Sequence, residues 1–207
     1  MDYMTASATL IIIVCCVLIS YLGFQRMELR DKFLYSPYDV AHGKGHLGLL
    51  GHMWFHANWE HLLFNMMSFF FLGQALEDWW GTEYGVERGT LIFIGLYFFG
   101  GLAATIWPYL RHREHAHYRS LGASGAVAAV IFAAIVWNPT MQLGIMFIPF
   151  PIPAYWFGPL YLLLEYFAMK RGRSNIANDA HISGAIFGAT FSIVLNPHKL
   201  TEFLQNF

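Results

Sequence analysis

A serine in the tetrapeptide Gly122-Ala123-Ser124-Gly125 opens one apolar stretch, and a histidine, His181, opens a later one. Serine is a weak nucleophile until a neighbouring base takes its proton, and histidine titrates close enough to neutrality to be that base. Attack on a carbonyl creates an oxyanion, which needs donors already in position. The backbone N–H of Ser124, the imidazole of His61 and the amide of Asn65 are the candidates. His61 and Asn65 stand at i and i+4, so both project from one side of a helix. Asp179 lies two residues before His181 and Glu165 near the far end of the preceding helix. Neither sits where an orienting partner is implied, so the expectation is a two-residue unit of Ser124 and His181.

Each residue also has a plain structural role open to it. A serine in a membrane helix bonds back to a carbonyl, and a histidine near a helix end rests at the interface. His61 and Asn65 can tie helices together, since polar side chains bond across helices in lipid. Four such groups at one depth on one face favour chemistry, because intramembrane ionisable groups are functional by default.

The elements that must position these groups follow from composition. The 207 residues are 57% hydrophobic and 18% aromatic, with 12% charged; a soluble domain carries roughly 25% charged. A net charge of −1 offers no basic surface for nucleic acid. Cys15 and Cys16 are neighbours, cannot form an ordinary disulfide clip, and are expected to be small membrane-facing side chains. A spanning helix needs about 20 mostly apolar residues. Six such spans are expected, near residues 5–25, 59–76, 90–110, 120–137, 154–169 and 181–196. Asn138-Pro139-Thr140 and Pro149-Phe150-Pro151-Ile152-Pro153 cut the long apolar stretch between the fourth and fifth. The first run has no basic segment before it and reads as a retained helix rather than a cleavable signal.

The expected fold is therefore an all-α membrane protein, a six-transmembrane-helix bundle in which residues 1–207 form one domain. The second, fourth and sixth helices begin at the same membrane face, which places His61, Asn65, Ser124 and His181 together. Gly122, Gly125, Gly184 and Gly188 are small residues that let the fourth and sixth helices approach closely. The histidines of His112-Arg113-Glu114-His115-Ala116-His117 lack His-Glu-x-x-His spacing and are expected to be a solvated charge run, not a metal site. Glu77 and Asp78 are expected to close the second helix and tie a loop. Asn178 is a candidate cap for the sixth.

Gly122-Ala123-Ser124-Gly125, His56-Ala57-Asn58-Trp59-Glu60-His61-Leu62-Leu63-Phe64-Asn65-Met66 and Ala180-His181-Ile182-Ser183-Gly184-Ala185-Ile186-Phe187-Gly188 together resemble the rhomboid intramembrane serine proteases. The resemblance runs from the first helix to the sixth, with the motifs in the family's order. It implies Ser124 as nucleophile, His181 as general base, and His61 and Asn65 in the oxyanion hole, with His56 in support. It implies hydrolysis of peptide bonds in single-pass membrane proteins without metal or cofactor, in a multi-pass protein of the bacterial inner membrane. The first loop, with Trp54 and Phe55, would lie partly sunk in lipid, and the fifth helix, with Gly158 and Pro159, would be the side gate.

Three features depart from that pattern. Leu47-Gly48 stands where many relatives carry Trp-Arg, and Ala128 where several carry an aromatic that supports the histidine ring. The first, third and fifth loops hold Arg26, Arg30, Lys32, Lys44, Arg111, Arg113, Arg119, Lys170, Arg171 and Arg173, against Arg88 and Lys199 opposite. The positive-inside rule would put that face in the cytoplasm, whereas the resemblance implies a site opening outward. Two other functions are consistent with the residues: an inactive rhomboid-like protein that binds membrane proteins, and a small transporter or channel. The paired halves with broken helices expected of a transporter are not evident.

Overall fold

Helix-forming apolar residues fill most of the chain, and most of it is helical. A computed structural model describes residues 7–144, 150–171 and 177–207. It begins with α1 (Ala8–Gln25), followed by the short α2 (Met27–Asp31), α3 (Pro37–Ala41) and α4 (His46–Gly51). A 3-10 turn, His52–Trp54, leads into α5 (Trp59–Tyr84), α6 (Val86–Ala103) and α7 (Ile106–His112). Then come α8 (Ser124–Trp137), α9 (Ala154–Arg171), α10 (Asn178–Leu195) and α11 (His198–Leu204). Between α8 and α9, β1 (Gln142–Leu143) pairs antiparallel with β2 (Ile152–Pro153), a two-residue ladder inside the expected apolar loop.

Helices α1, α5, α6, α8, α9 and α10 overlap the stretches where spans are expected, but their ends differ. The second runs on to Tyr84, so Glu77 and Asp78 lie inside it rather than closing it. There Glu77 caps another helix. Its carboxylate accepts from Ser7 Oγ (2.7 Å), Ala8 N (2.8 Å), Thr9 N (3.0 Å) and Thr9 Oγ1 (2.8 Å), satisfying orphan donors of α1. The third helix starts at Val86, with Arg88 over the Tyr84 ring, and is interrupted after Ala103 before α7. The sixth begins at Asn178, not His181. Residues 5 and 6 of the first expected span, together with Pro149 and Arg173, lie outside the described residues.

Among the described residues, two stretches of helix are long and apolar enough by themselves to cross a membrane, Ala8–Gln25 and Val86–His112; Ser124–Trp137 is apolar but shorter. The outward sides of the other long helices are also greasy. Leu63 and Phe71 on α5, Leu164 on α9 and Val194 on α10 are all more than half exposed. Contiguous apolar surface of this kind marks contact with lipid or with another protein. At the centre lies α8, apolar and buried on nearly every side, as a helix surrounded by others must be. Cys16 corrects an expectation. It is fully buried, not lipid-facing, with its Sγ near the Met53 carbonyl (3.8 Å) and the Tyr97 hydroxyl (3.5 Å).

Glycine sets how close α8 and α10 come. A methyl group on Gly184 would overlap the Gly125 carbonyl, and one on Gly188 the Ala129 carbonyl. The two backbones are therefore in direct contact over two turns. Helices in lipid gain little from hydrophobicity and associate through such packing.

The first loop is fixed without a Trp-Arg pair. Tyr35 and Ser120 exchange backbone hydrogen bonds (2.9 and 3.0 Å), and the Tyr35 hydroxyl donates to Thr105 O (3.0 Å). Arg119 pairs with Asp39 at 3.2 Å. Gly48 lies so close to the Leu34 carbonyl that a Cβ would collide with it. His56, fully buried, accepts from Ala123 N–H through Nε2 (3.4 Å), so its Nδ1 carries the proton given to Ser20 Oγ (2.9 Å). Ser20 in turn donates to the Trp54 carbonyl (3.2 Å). Burial first, and the nearby His61 imidazole second, push His56 down to about 3.

Two predictions follow from this packing. Gly188→Ala lowers the unfolding midpoint in detergent by an amount corresponding to about 1–3 kcal/mol of overpacking. Gly95→Ala, whose Cβ would meet only Phe99 at 3.9 Å, is neutral or stabilising by up to about 1 kcal/mol. Equal effects of the two would refute close packing of α8 on α10. The second prediction concerns pH. The fold keeps His56 neutral where the unfolded chain, at its ordinary 6.5, takes up a proton. Stability is thus full above about 6.5 and declines as pH falls toward about 3. His52, also held low by burial, adds to the slope. The midpoint of His56→Gln, followed by circular dichroism from pH 7 to 4, starts lower but falls less; parallel curves would exclude this role.

Candidate active site

Gly122 takes φ +130°, a backbone region that L side chains rarely adopt, and its N–H donates to the His52 carbonyl (3.0 Å). This turn ends the extended segment at Ser120 and starts α8 at Ser124. The missing Cβ also makes room for His61, whose ring lies against Gly122; a Cβ there would stand 2.9 Å from Nε2. Ser124, half-buried, occupies the first position of its helix, where backbone N–H groups have no intrahelical acceptor. The N–H expected to meet an oxyanion is thus aimed outward from the helix start.

His61 and Asn65 share one side of α5, as their spacing requires. The Asn65 amide donates to the His61 carbonyl (2.9 Å), using one of its two protons. The His61 and His56 rings meet edge to face, 5.2 Å apart. His61 and His181 lie within electrostatic range of each other. On the other side of the serine, a Cβ on Gly125 would stand 3.4 Å from Ala180 O, the carbonyl just before His181. A cavity of about 20 Å³ beside Ser124 is lined by Gly122, Gly125, Ser120, Thr105 and Ala180, roughly the space of one water. Among the described residues no hydrogen bond joins the Ser124 hydroxyl to the His181 imidazole.

What holds His181 is a correction to the two-residue expectation. Glu165 of α9 reaches across to α10, and its Oε1 is 3.0 Å from His181 Nδ1. Both side chains are largely buried, 14% and 13% exposed. Asn178 Nδ2 donates to Glu165 Oε2 (2.6 Å), and the Tyr161 hydroxyl donates to the same carboxyl. Sequence position hid this contact. Glu165 lies well along its helix, and only the packing of α9 against the start of α10 brings it to the histidine. The available signals were weak: it is the sole carboxylate of the fifth apolar stretch, and Tyr161 stands one turn before it.

Asp179 is engaged elsewhere. It pairs with His112 (3.0 Å) and Arg111 (3.5 Å), accepts from the Tyr118 hydroxyl (3.3 Å) and takes Ala180 N–H (3.0 Å). His112 also stacks on Tyr118 at 4.0 Å. The histidine-rich loop is therefore partly a structural clamp on the start of α10, not only a solvated run. Asn178 serves Glu165 with its amide. Among the described residues no group of three or more His, Cys, Asp or Glu is arranged to hold a metal.

The start of α8, which carries Ser124, thus packs against α10, whose His181 has its Nδ1 met by a carboxylate. The His61 ring of α5 lies against Gly122, two residues before Ser124. The rhomboid domain model matches residues 44–198, about three quarters of the chain. RHOMBOID-like protein 12, mitochondrial, from Arabidopsis thaliana is 24% identical over 188 residues, covering 84% of this chain and 53% of its own length. Rhomboid protease AarA from Providencia stuartii is 28% identical over 168 residues, covering 72% of this chain and 56% of its own. The chain thus spans little more than half the length of these curated relatives. Its fold, its motifs and the extent of the domain match show that it belongs to the rhomboid family, whose members are integral membrane proteins.

Proposed function

We propose that this protein is an intramembrane serine protease that cleaves single-pass membrane proteins in or near their transmembrane segments, with Ser124 as nucleophile and His181 as general base. The observation that carries the reading is the backbone contact between Gly125 and Gly184, which sets the starts of α8 and α10 side by side. His181 Nε2 takes the proton of Ser124 Oγ as it attacks the scissile carbonyl, then passes it to the leaving amine. The oxyanion is met by the Ser124 N–H, the His61 ring and the remaining Asn65 amide proton. Six of the helices, α1, α5, α6, α8, α9 and α10, cross the bilayer, and neither metal, cofactor nor nucleic acid takes part. The membrane is the bacterial inner membrane, with the site opening outward.

Substrate reaches the serine past α9. This helix buries only Ala154 and Gly158 and carries Pro159 inside it, so little apolar packing opposes its displacement. Gly158 rests on Phe132 and Ile135 of α8 at ordinary contact distances. A second reading, an inactive family member that binds membrane proteins, is favoured by one observation: the Ser124 hydroxyl is not hydrogen-bonded to His181 in this state. Such bonds are often long in free enzymes and tighten when substrate binds.

Incubating the detergent-purified protein with a labelled single-pass substrate separates the two. Cleavage by the wild type falls by about 10³-fold or more in Ser124→Ala and His181→Ala, and by roughly 10²-fold in His61→Ala or Asn65→Ala. Equal cleavage by wild type and Ser124→Ala rejects the nucleophile. No cleavage by either favours the binding reading, or a small transporter or channel, over the protease.

A further inference from the structure

We infer that Glu165 is the positioning residue for His181: its carboxylate accepts the Nδ1 proton, which leaves Nε2 as the basic nitrogen and fixes the plane of the ring. This rests on the proposed role of His181 and adds a third, gate-helix member to what the motifs alone present as a pair. An imidazole has two tautomers, and only the one with a free Nε2 can act as the base if Nδ1 is the nitrogen held from behind. The anionic oxygen 3.0 Å from Nδ1 favours that proton position.

The carboxylate is itself immobilised. Tyr161, one turn earlier on α9, and Asn178, one turn before His181 on α10, both donate to it. Among the described residues no other acid is hydrogen-bonded to the ring. Asp179 on the same helix is taken by Arg111, His112 and Tyr118, and His61 across from α5 carries no acidic oxygen. Ala128, buried on α8, supplies no aromatic face to support the imidazole. Support thus comes from α9 rather than α8. Because α9 is the least buried of the long helices, the base is oriented when that helix is seated and loses its tie when the helix swings away.

The test compares wild type with Glu165→Gln and Glu165→Leu in three measurements. The rate at which a small fluorophosphonate labels Ser124 reports nucleophile activation without passage of a helix. Steady-state cleavage separates kcat from KM. Nitrogen-15 NMR of histidine-labelled protein, assigned by difference from His181→Ala, reports the tautomer. Glu165→Gln, whose amide can offer a proton to Nδ1, lowers labelling and kcat by roughly a hundredfold or more, toward the ~10⁴-fold loss of a triad held in the wrong tautomer. KM stays within about twofold. The wild-type ring carries its proton on Nδ1, and both variants lose that preference. If Glu165 merely ties α9 to α10, the variants raise KM or lower the unfolding midpoint while labelling stays unchanged, and the assignment falls. An Nε2-protonated ring in the wild type also overturns it. Should the wild type neither cleave nor label, the protease reading fails, while the tautomer spectrum still decides what Glu165 does.

Discussion

Direct contact between the backbones of α8 and α10 is the constraint on which the site depends. At Gly125–Gly184 and Ala129–Gly188 there is no space for another carbon between the helices. In lipid that closeness is the source of attraction, because the alternative neighbour, an acyl chain, is as apolar as any side chain. It also sets a length scale. Serine and histidine side chains reach only a few ångströms, so they can meet only where their helix axes are drawn together by small residues. A larger residue at either glycine would push the two helices apart.

Around that seam, polar groups are paired rather than dispersed. Glu77 closes the start of α1, His56 joins Ser20 to the segment leading into Ser124, Asp179 gathers the third loop, and Glu165 meets His181. In a low-dielectric interior an unpaired donor or carboxylate costs several kcal/mol, so each of these contacts also specifies a relative placement of two elements. The serine is located by this means as much as by apolar packing. Its preceding residue hangs from His56, and the turn before it is held open by the positive φ of Gly122 and filled by His61.

The sparsely buried α9 contrasts with α8. One is enclosed on nearly every side, while the other shows Trp156, Leu163, Leu164 and Phe167 to the surroundings. A rigid centre thus carries Ser124, and a loosely held flank carries Glu165. Few buried apolar contacts make a segment easy to move, and the Glu165 contact joins that segment to His181.

Much was legible in the residues alone. Apolar runs pointed to long helices, the prolines marked breaks between them, and the motifs carried the family, since these depend on local composition and spacing. Ends were less legible: α5 overran its expected close because Glu77 is stabilised by donors of α1, which no local window contains. Cys16 was assigned to lipid although its partners, Met53 and Tyr97, lie on other elements. Glu165 was set aside because its place along α9 says nothing of the angle at which that helix meets α10. Sequence by itself determined which residues are apolar, which can react and where helices must stop, all properties of short stretches of chain. Tertiary structure alone decided which polar group faces which, because a hydrogen bond is made across distances of about 3 Å that only the packing of whole helices can set.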